Sequence, residues 1–334
     1  MLEKPAINDD LLIRSLNDGF GKEIRFISFL PIGSDLNTVV YRAQASDGSF
    51  YFVKLRRGRW SKAAVLVPTF LAERGMKQVI PTLRTRTGSL QHELDNWIVT
   101  LHPFVKGHHG YEQRMTVSQW SEFGTALKRF HTTDFPAQIL QDVPREEFST
   151  RWQDELRTFI ERLERKKFAD TVATELAIFL MSKKNEIRRL IEKIEESIQP
   201  LLHNPPEFIL CHADIHCWNL LIDDDTKILH IVDWDTLIFA PKERDLMFIG
   251  AGLADSGYTP AQEKEMFFRG YGQTTIDQNA ITYYRCVRII EDLVVYCQQI
   301  FLSEEGGEDR RQAVECVRSH FRPNGSLEMA IGAL

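Results

Sequence analysis

The sequence predicts an α+β fold with two lobes, a small N-terminal lobe on an antiparallel sheet and a larger helical C-terminal lobe. Short segments rich in Val, Ile, Phe and Tyr, separated by turn residues, fill the first hundred residues. From Thr116 onward, apolar residues instead recur at three- and four-residue spacing, the period of a helix. The 334 residues suit two lobes better than one compact unit. We place the boundary at a hinge, with one lobe over residues 1–104 and the other over 105–334.

The N-terminal elements follow from apolar runs and the breakers between them. Pro31 to Ser34 and Ser46 to Gly48 separate three apolar segments, which predicts an antiparallel meander. The predicted elements, in chain order, are a helix over Asp9 to Phe20, strands over Ile24 to Leu30, Thr38 to Ala45 and Phe50 to Leu55, a helix over Lys62 to Arg74, and strands over Ile80 to Thr87 and Trp97 to Phe104.

The C-terminal elements are mainly amphipathic helices. The spacing of Val117, Trp120, Phe123, Leu127 and Phe130 predicts the first of them. The others are helices over Ser149 to Phe168 and Val172 to Leu201, two short strands over Phe208 to Cys211 and Ile228 to Val232, and helices through the C-terminal third.

Composition excludes several classes of protein. Hydrophobic residues at 43% and charged residues at 26% are ordinary globular values, and the net charge of -6 disfavours a nucleic-acid partner. The polar segment Met1 to Asp10 lacks the apolar stretch of a secretory signal, and no apolar run reaches the roughly 18 residues that span a bilayer. Five scattered cysteines suit reduced thiols. We therefore expect a cytoplasmic protein without a membrane partner. The sequence leaves the oligomeric state open, with a monomer favoured.

The segment from Cys211 to Asp235 carries the strongest chemical signal. Asp214 and Asn219 are five positions apart on a loop after a predicted strand, and Asp233 follows a second predicted strand. Phosphoryl transfer from a nucleotide needs a carboxylate beside the acceptor hydroxyl and oxygen ligands for Mg²⁺. The pattern therefore predicts Asp214 as the catalytic base and Asn219 and Asp233 as metal ligands. We expect His212, beside the base, to support the loop.

Candidate nucleotide-binding residues precede this segment. Lys54 lies in an alternating strand, where kinases carry the lysine that contacts the α- and β-phosphates. An isolated lysine there would more often lie at the surface of an edge strand. Other candidates are Gly33, Ser34 and Asn37 in a turn whose backbone could cover the phosphates, and Thr100, Leu101 and Phe104 in the segment expected to meet the base. A core role for Phe104 is equally open.

Two other interpretations of these segments are weaker than the phosphoryl-transfer prediction. Cys211, His212, His216 and Cys217 offer four zinc ligands, but adjacent Cys-His pairs direct their side chains poorly toward one ion. The arginines between Lys54 and Lys62 resemble a nucleic-acid patch, but Trp60 is the one stacking residue among them. Neither pattern displaces the phosphoryl-transfer prediction.

Together these motifs resemble the aminoglycoside phosphotransferase and choline kinase superfamily, which has a protein-kinase-like fold. The resemblance rests on Lys54, the His212 to Asn219 loop and Ile231 to Asp235, and it extends to Ala240 to Gly250, Tyr283 to Arg285 and Arg288 to Asp292. It implies ATP- or GTP-dependent phosphorylation of an antibiotic hydroxyl, with spectinomycin as the leading acceptor, and hence resistance. It also implies that Asp245 binds the backbone of the catalytic loop.

A cationic aminocyclitol needs carboxylates and pocket walls near Asp214. The candidate substrate residues are Asp235, Glu243, Glu291, Asp292, Tyr284, Arg285 and Trp218. Glu291 and Asp292 are consecutive on a helix and point about 100° apart, so at most one is expected to face the pocket.

One departure from the family pattern concerns Lys54. Many relatives carry a glutamate on the following helix that pairs with this lysine, but here that helix begins Ala63-Ala64-Val65-Leu66. Glu73, the nearest acid, lies far along the helix. The partner of Lys54 is therefore open.

Three alternative functions remain to be compared. A metabolite kinase of choline, homoserine or sugar type would share the fold, and a non-catalytic nucleotide- or drug-binding module would share the binding residues. A protein kinase is disfavoured because only seven residues separate Asp233 from Pro241, which leaves no room for an activation segment.

Overall fold

A computed structural model describes residues 3–33, 35, 37–58, 60–165, 168–250, 257–302, 307–323 and 325–332. The chain forms two compact units, each assembled from separate stretches of sequence. The first unit comprises Met1–Gln113, Thr132–Val143 and Trp218–Leu237, and the second unit comprises Arg114–His131, Pro144–Cys217 and Ile238–Leu334. This division differs from the single boundary at residue 104 that the sequence suggested.

The helices and strands are as follows. The helices are α1 Asp9–Phe20, α2 Ala63–Glu73, α3 Val117–His131, α4 Arg151–Leu163, α5 Thr171–Ser182, α6 Lys184–His203, α7 Glu243–Leu246, α8 Pro260–Tyr271, α9 Gln278–Phe301, α10 Gly307–His320 and α11 Ser326–Ile331. The strands are β1 Ile24–Leu30, β2 Thr38–Ala45, β3 Phe50–Arg56, β4 His92–Leu94, β5 Trp97–Pro103, β6 Gly107–His109, β7 Phe208–Cys211, β8 Leu220–Asp223, β9 Leu229–Ile231 and β10 Ile238–Pro241.

A five-stranded antiparallel sheet dominates the first unit, in the order β1-β2-β3-β5-β4. Period-two alternation buries one face, as with Val53 and Leu55 on β3, and α1 covers this core with Leu12 and Leu16. Lys54 lies between Val53 and Leu55 and points to the other face. Because β3 is the middle strand, the edge-strand interpretation of Lys54 is wrong.

The predicted strand over Ile80 to Thr87 is wrong. The segment runs without regular structure and ends in a tight turn, in which Thr85 N–H donates to the Ser89 carbonyl at 2.7 Å. Pro81 lacks the amide that a ladder needs, and Leu83 N–H donates to the Leu101 carbonyl at 2.7 Å without forming a strand. The short β4 precedes β5 instead.

The β8–β9 hairpin explains why residues 218–237 belong to the first unit. β8 pairs with β9 on one side and with β6 on the other, and Ile231 also forms a parallel bridge with Val79. The sequence predicted β9 but not β8 or β6. Both are too short to show a clear alternation.

Helix α9 forms the centre of the second unit and is buried along most of its 24 residues. It packs against α4, α6, α7, α10 and α11. The predicted helix over Val172 to Leu201 is divided into α5 and α6 at Lys183, whose backbone leaves the helical region (φ -102°, ψ 10°). β7 and β10 pair as a separate antiparallel ribbon.

Within the described ranges, every helix is too short or too polar to cross a membrane.

Candidate active site

The hairpin of the first unit brings the two predicted metal ligands to one end of a ladder. Leu220 pairs with Ile231, and Val232 N–H donates to the Asn219 carbonyl at 3.0 Å. Asn219 therefore lies beside Val232, the residue before Asp233. Asp233 adopts a left-handed backbone conformation (φ 63°, ψ 64°), which is rare for a residue other than glycine. Amide and carboxylate oxygens are the hard ligands that Mg²⁺ prefers, so this pair fits the predicted role.

Lys54 of the first unit binds acids that follow this hairpin. Its Nζ lies 2.7 Å from Asp233 Oδ1 and also binds Asp235, which in turn binds Arg56. Burial alone would lower the pKa of Lys54, but Asp233 and Asp235 outweigh it and raise the pKa above its ordinary value. Lys54 is therefore charged at every physiological pH.

These contacts answer the question of the missing glutamate and correct one assignment. Glu73 pairs with Arg84 at 3.0 Å, while Asp233 and Asp235 hold Lys54. The sequence assigned Asp235 to the substrate, but two cations of its own unit bind it, and its side chain is only 14% exposed. Asp235 thus takes the place of the helix glutamate.

The turn between β1 and β2 is described in part. Gly33 has φ 85°, a left-handed value that glycine adopts without strain. Asn37 N–H donates to Asp35 Oδ1 at 2.8 Å, and its carbonyl accepts from Arg57 N–H at 3.0 Å. Ser34, also predicted to bind the nucleotide, lies outside the described residues.

The three residues predicted to meet the base lie on β5 or directly after it. Thr100 pairs with Lys54 across the ladder, and Leu101 is fully buried with its carbonyl accepting from Leu83 N–H at 2.7 Å. Phe104 N–H donates to the Phe50 carbonyl at 3.2 Å, and the two rings are 6.4 Å apart.

Asp245 holds the backbone of the catalytic loop in the second unit. Its Oδ1 accepts from Ala213 N–H at 2.6 Å, and its Oδ2 accepts from His212 N–H at 2.9 Å. His131 Nε2 lies 2.8 Å from the same Oδ2, and Tyr271 Oη lies 2.8 Å from His131 Nδ1. Burial opposes the charge on Asp245, but His131 and the loop outweigh it and lower the pKa. This network fixes Ala213 at φ 68°, directly before Asp214.

Asp214 itself faces an arginine and a histidine of the second unit. Its Oδ1 lies 2.7 Å from Arg288 Nη1 and 3.4 Å from His216 Nε2. Burial would raise the pKa of Asp214, but Arg288 and then His216 outweigh it and hold the pKa well below its usual range. Asp214 is therefore ionised, as a group that accepts a hydroxyl proton must be.

The remaining predicted substrate acids are already paired within the second unit. Glu243 is 1% exposed, binds Lys242 at 2.9 Å and accepts from Asp277 N–H at 3.1 Å. Glu291 lies 3.6 Å from Arg244, and Asp292 lies 3.2 Å from Arg288. The sequence treated these acids as available for a cationic ligand, whereas in the folded chain each neutralises a neighbouring cation.

Two of the predicted pocket walls are wrong, because they lie in the core of the second unit. Tyr284 has no exposed surface and contacts the Phe148 and Tyr283 rings. Arg285 is 8% exposed and donates to the carbonyls of Met247 (2.8 Å) and Ile249 (3.1 Å). Both residues hold the fold together rather than face a ligand.

Trp218, the third predicted wall, is on the surface of the first unit. It is 47% exposed and stacks on Tyr111, with the ring centroids 4.7 Å apart and the planes at 22°. Trp218 directly precedes Asn219 in the chain, so the stacked pair includes the neighbour of a predicted metal ligand.

The zinc alternative that the sequence disfavoured gains no support from the geometry. Among the described residues, the group whose ligand atoms come within 4.8 Å of one another is His131, Cys211 and Asp245. Burial raises the pKa of the Cys211 thiol, and its Sγ lies 3.6 Å from the Ala240 carbonyl. A protonated thiol is a poor metal ligand, and hydrogen bonds already join the other two residues.

Sequence reasoning missed Arg56, His131 and Arg288. Each binds an acid that is distant in the sequence, so no local spacing could reveal the contact. Arg288 and Asp292 did carry one signal, the four-residue spacing of an ion pair on a helix.

Comparisons with known proteins show the family and the fold of the chain. A model of the phosphotransferase enzyme family matches residues 28–287. The structure of spectinomycin phosphotransferase APH(9)-Ia with ADP and spectinomycin is similar, with a TM-score of 0.90, 29% identity, and coverage of 99% of this chain and 100% of that one. Its AMP-bound complex is also similar, with a TM-score of 0.83, 30% identity, and coverage of 97% of this chain and 98% of that one. Choline kinase LicA from Streptococcus pneumoniae shares the fold, with a TM-score of 0.57, 12% identity, and coverage of 97% and 99%. No curated protein matches the sequence.

Proposed function

The chain belongs to the phosphotransferase enzyme family, and from this premise we propose that it transfers the γ-phosphate of ATP or GTP to a hydroxyl of an aminocyclitol antibiotic. Spectinomycin is the leading acceptor. The observation that carries this choice is the full-length similarity to a protein solved with ADP and spectinomycin. Such a reaction would confer resistance to the drug.

Asp214 acts on the acceptor. Its carboxylate orients the hydroxyl and takes its proton, while the acceptor oxygen bonds to the γ-phosphorus and the bond to the bridging oxygen breaks, releasing the nucleoside diphosphate. A phosphoryl group passes through a loose transition state, so orientation matters more than the strength of the base. A strongly ionised Asp214 suits this task.

Lys54, Asn219 and Asp233 act on the nucleotide. Lys54, oriented by Asp235, would contact the α- and β-phosphates. Asn219 and Asp233 would hold Mg²⁺, which when bound neutralises charge on the phosphate oxygens. The turn that carries Gly33, Ser34 and Asn37 would cover the phosphates, and the segment of Thr100, Leu101 and Phe104 would meet the base through its backbone, since the Leu101 side chain lies in the core. Trp218 would contact the acceptor.

A panel of acceptors tests this function. Purified protein is incubated with labelled ATP, Mg²⁺ and spectinomycin, other aminocyclitols, choline, homoserine or sugars. We expect transfer to spectinomycin, and no transfer by Asp214→Asn, which still binds ATP. Transfer to a metabolite and to no aminocyclitol would overturn the drug assignment.

A metabolite kinase is the second candidate. It is favoured by the ion pairs of Glu243, Glu291 and Asp292, because acids already bound to cations recognise a polycationic drug poorly. A third possibility, a binding module without catalysis, requires nucleotide binding with no transfer to any acceptor under saturating Mg²⁺.

A further inference from the structure

The guanidinium of Arg288 joins two carboxylates of the second unit. Its Nη1 lies 2.7 Å from Asp214 Oδ1, and its Nε lies 3.2 Å from Asp292 Oδ1. Asp292 is one helical turn further along α9, so it can hold the arginine from its own helix. A planar guanidinium fixed on one edge presents its other N–H groups in a set direction.

The contacts continue beyond Asp292 to the C-terminal helices. His320, at the end of α10, places Nε2 3.4 Å from Asp292 Oδ2 and Nδ1 2.6 Å from Ser326 Oγ at the start of α11. The side chains of Arg288, Asp292 and His320 are 26%, 22% and 13% exposed. This partial burial makes their pairing stronger than that of surface ions.

Both ends of the Arg288–Asp214 contact are anchored. Ile289, Ile290 and Leu293 on α9 are at most 2% exposed and fix the helix in the core. Asp245 fixes the backbone directly before Asp214 through Ala213 and His212. Asp245 thus holds the backbone beside Asp214, and Arg288 binds the Asp214 carboxylate at Oδ1, where His216 Nε2 lies farther away at 3.4 Å.

We propose that Arg288 is a positioning residue for the phosphoryl transfer: it holds the Asp214 carboxylate in the orientation that receives the acceptor hydroxyl, and Asp292 and His320 hold Arg288. This rests on the proposed function, in which Asp214 is the base. It replaces the sequence-based assignment of Asp292 to the substrate, because Asp292 acts through Arg288.

Steady-state kinetics of Arg288→Ala, Arg288→Lys and Asp292→Asn tests the proposal. Misplacing a reacting group by about 1 Å costs about 10²-fold in rate. We expect kcat of Arg288→Ala to fall by about this factor while the KM for ATP stays unchanged. Arg288→Lys keeps the charge but cannot bind two carboxylates with one planar group, so its kcat falls less. Asp292→Asn lowers kcat without raising the acceptor KM.

Chemical rescue separates positioning from folding. Methylguanidinium added to Arg288→Ala should restore part of kcat, since it can occupy the space of the lost side chain. The matched control is Arg318→Ala on α10, whose arginine pairs with Glu175 and Glu315, two acids outside the contacts that join Asp214, Arg288 and Asp292. It should keep wild-type kcat with and without methylguanidinium.

The possible results test the role of Arg288 separately from the proposed function. A wild-type protein that phosphorylates no acceptor overturns the proposed function. If the wild type is active, two results for Arg288→Ala overturn the role of Arg288 and leave the proposed function intact. One is a kcat equal to that of the wild type, and the other is a loss of kcat that methylguanidinium does not reverse. If Arg288→Ala does not fold, wild-type kcat in Arg288→Lys and Asp292→Asn overturns it, and a kcat loss in both supports it.

Discussion

At the scale of single residues, Lys54 shows how the fold compensates for a missing acid. Helix α2 begins with alanines and carries no acid until Glu73, which binds Arg84. Asp235, two residues after Asp233, supplies the carboxylate instead and also binds Arg56. One acid thus neutralises two cations whose side chains are only 17% and 20% exposed.

Asp235→Asn should therefore weaken both folding and nucleotide binding. Losing a charge-assisted partner of two mostly buried cations costs about 1–3 kcal/mol, and a mobile Lys54 raises the KM for ATP. The matched control is Glu73→Gln, which breaks an exposed pair worth at most about 1 kcal/mol. Urea denaturation and ATP titrations measure both effects. Equal stability losses in the two variants would contradict the assignment.

His102 predicts a dependence of stability on pH. Burial, together with the charge of Lys54, lowers the pKa of His102 to about 4. In the unfolded chain a histidine takes up a proton near pH 6.5, while folded His102 stays neutral. Protonation therefore favours unfolding as pH falls from about 6.5 to about 4, by up to about 3 kcal/mol.

Chemical denaturation at several pH values checks this effect. Wild type should lose unfolding free energy over that range, and His102→Gln should lose less. His203→Gln, at an exposed histidine that binds the Gln199 carbonyl, should follow wild type. Parallel curves for wild type and His102→Gln would contradict the burial argument.

At the scale of elements, the sequence predicted those that carry their own boundary signals. Helix α1 starts where Asn8 accepts from Leu11 N–H and ends at Gly21 with φ 65°. The meander β1–β3 shows clear runs between turns. In contrast, nothing in the sequence around Lys183 marks the break between α5 and α6, and β8 is four residues long. Such features depend on packing partners that are distant in the chain.

In the candidate site, too, local sequence patterns indicated some residues, whereas contacts between distant residues could not be predicted. Asp214 and Asn219 could be predicted because one loop holds both, and Asp233 because it follows a strand. The pairing of Asp214 with Arg288 joins residues 74 positions apart, and that of Lys54 with Asp235 joins residues 181 apart. The ion pairs of Glu243, Glu291 and Asp292 could not be predicted for the same reason, because the sequence shows which residues are charged but not which residues they bind.

The close packing of helices α3 and α8 predicts that a glycine-to-alanine change at their contact lowers stability. A Cβ at Gly270 would lie 1.8 Å from the Ser121 carbonyl oxygen, and a Cβ at Gly124 would lie 2.1 Å from the Phe267 carbonyl oxygen. Gly-to-Ala changes inside helices normally stabilise by about 1 kcal/mol. Here Gly270→Ala should instead destabilise by about 1–3 kcal/mol, because two backbones must separate.

Thermal unfolding of Gly270→Ala and of the control Ser118→Ala measures this effect. Ser118 lies on the exposed side of α3, and its change should leave stability within about 0.5 kcal/mol of wild type. A stabilised Gly270→Ala would show that the helices do not pack this closely.

At the scale of the whole molecule, the chain assigns its candidate chemistry to two compact units. The first holds Lys54, Asn219 and Asp233, and the second holds Asp214 and Arg288. The change from one unit to the other falls between Cys217 and Trp218, inside the loop that the sequence treated as one motif. The residues proposed to bind the nucleotide and the proposed base therefore belong to different cores.

This division predicts how nucleotide binding changes thermal stability. Mg²⁺ with a non-hydrolysable ATP analogue should raise the melting temperature of wild type, because a ligand at one hundred times its Kd adds about 2.7 kcal/mol. Asp214→Asn should show the same shift, since its change lies in the second unit. Lys54→Ala, measured against its own nucleotide-free state, should show little or none. Calorimetry with these three proteins decides the matter: a shift lost in Asp214→Asn but kept in Lys54→Ala would reverse the assignment of nucleotide binding to the first unit.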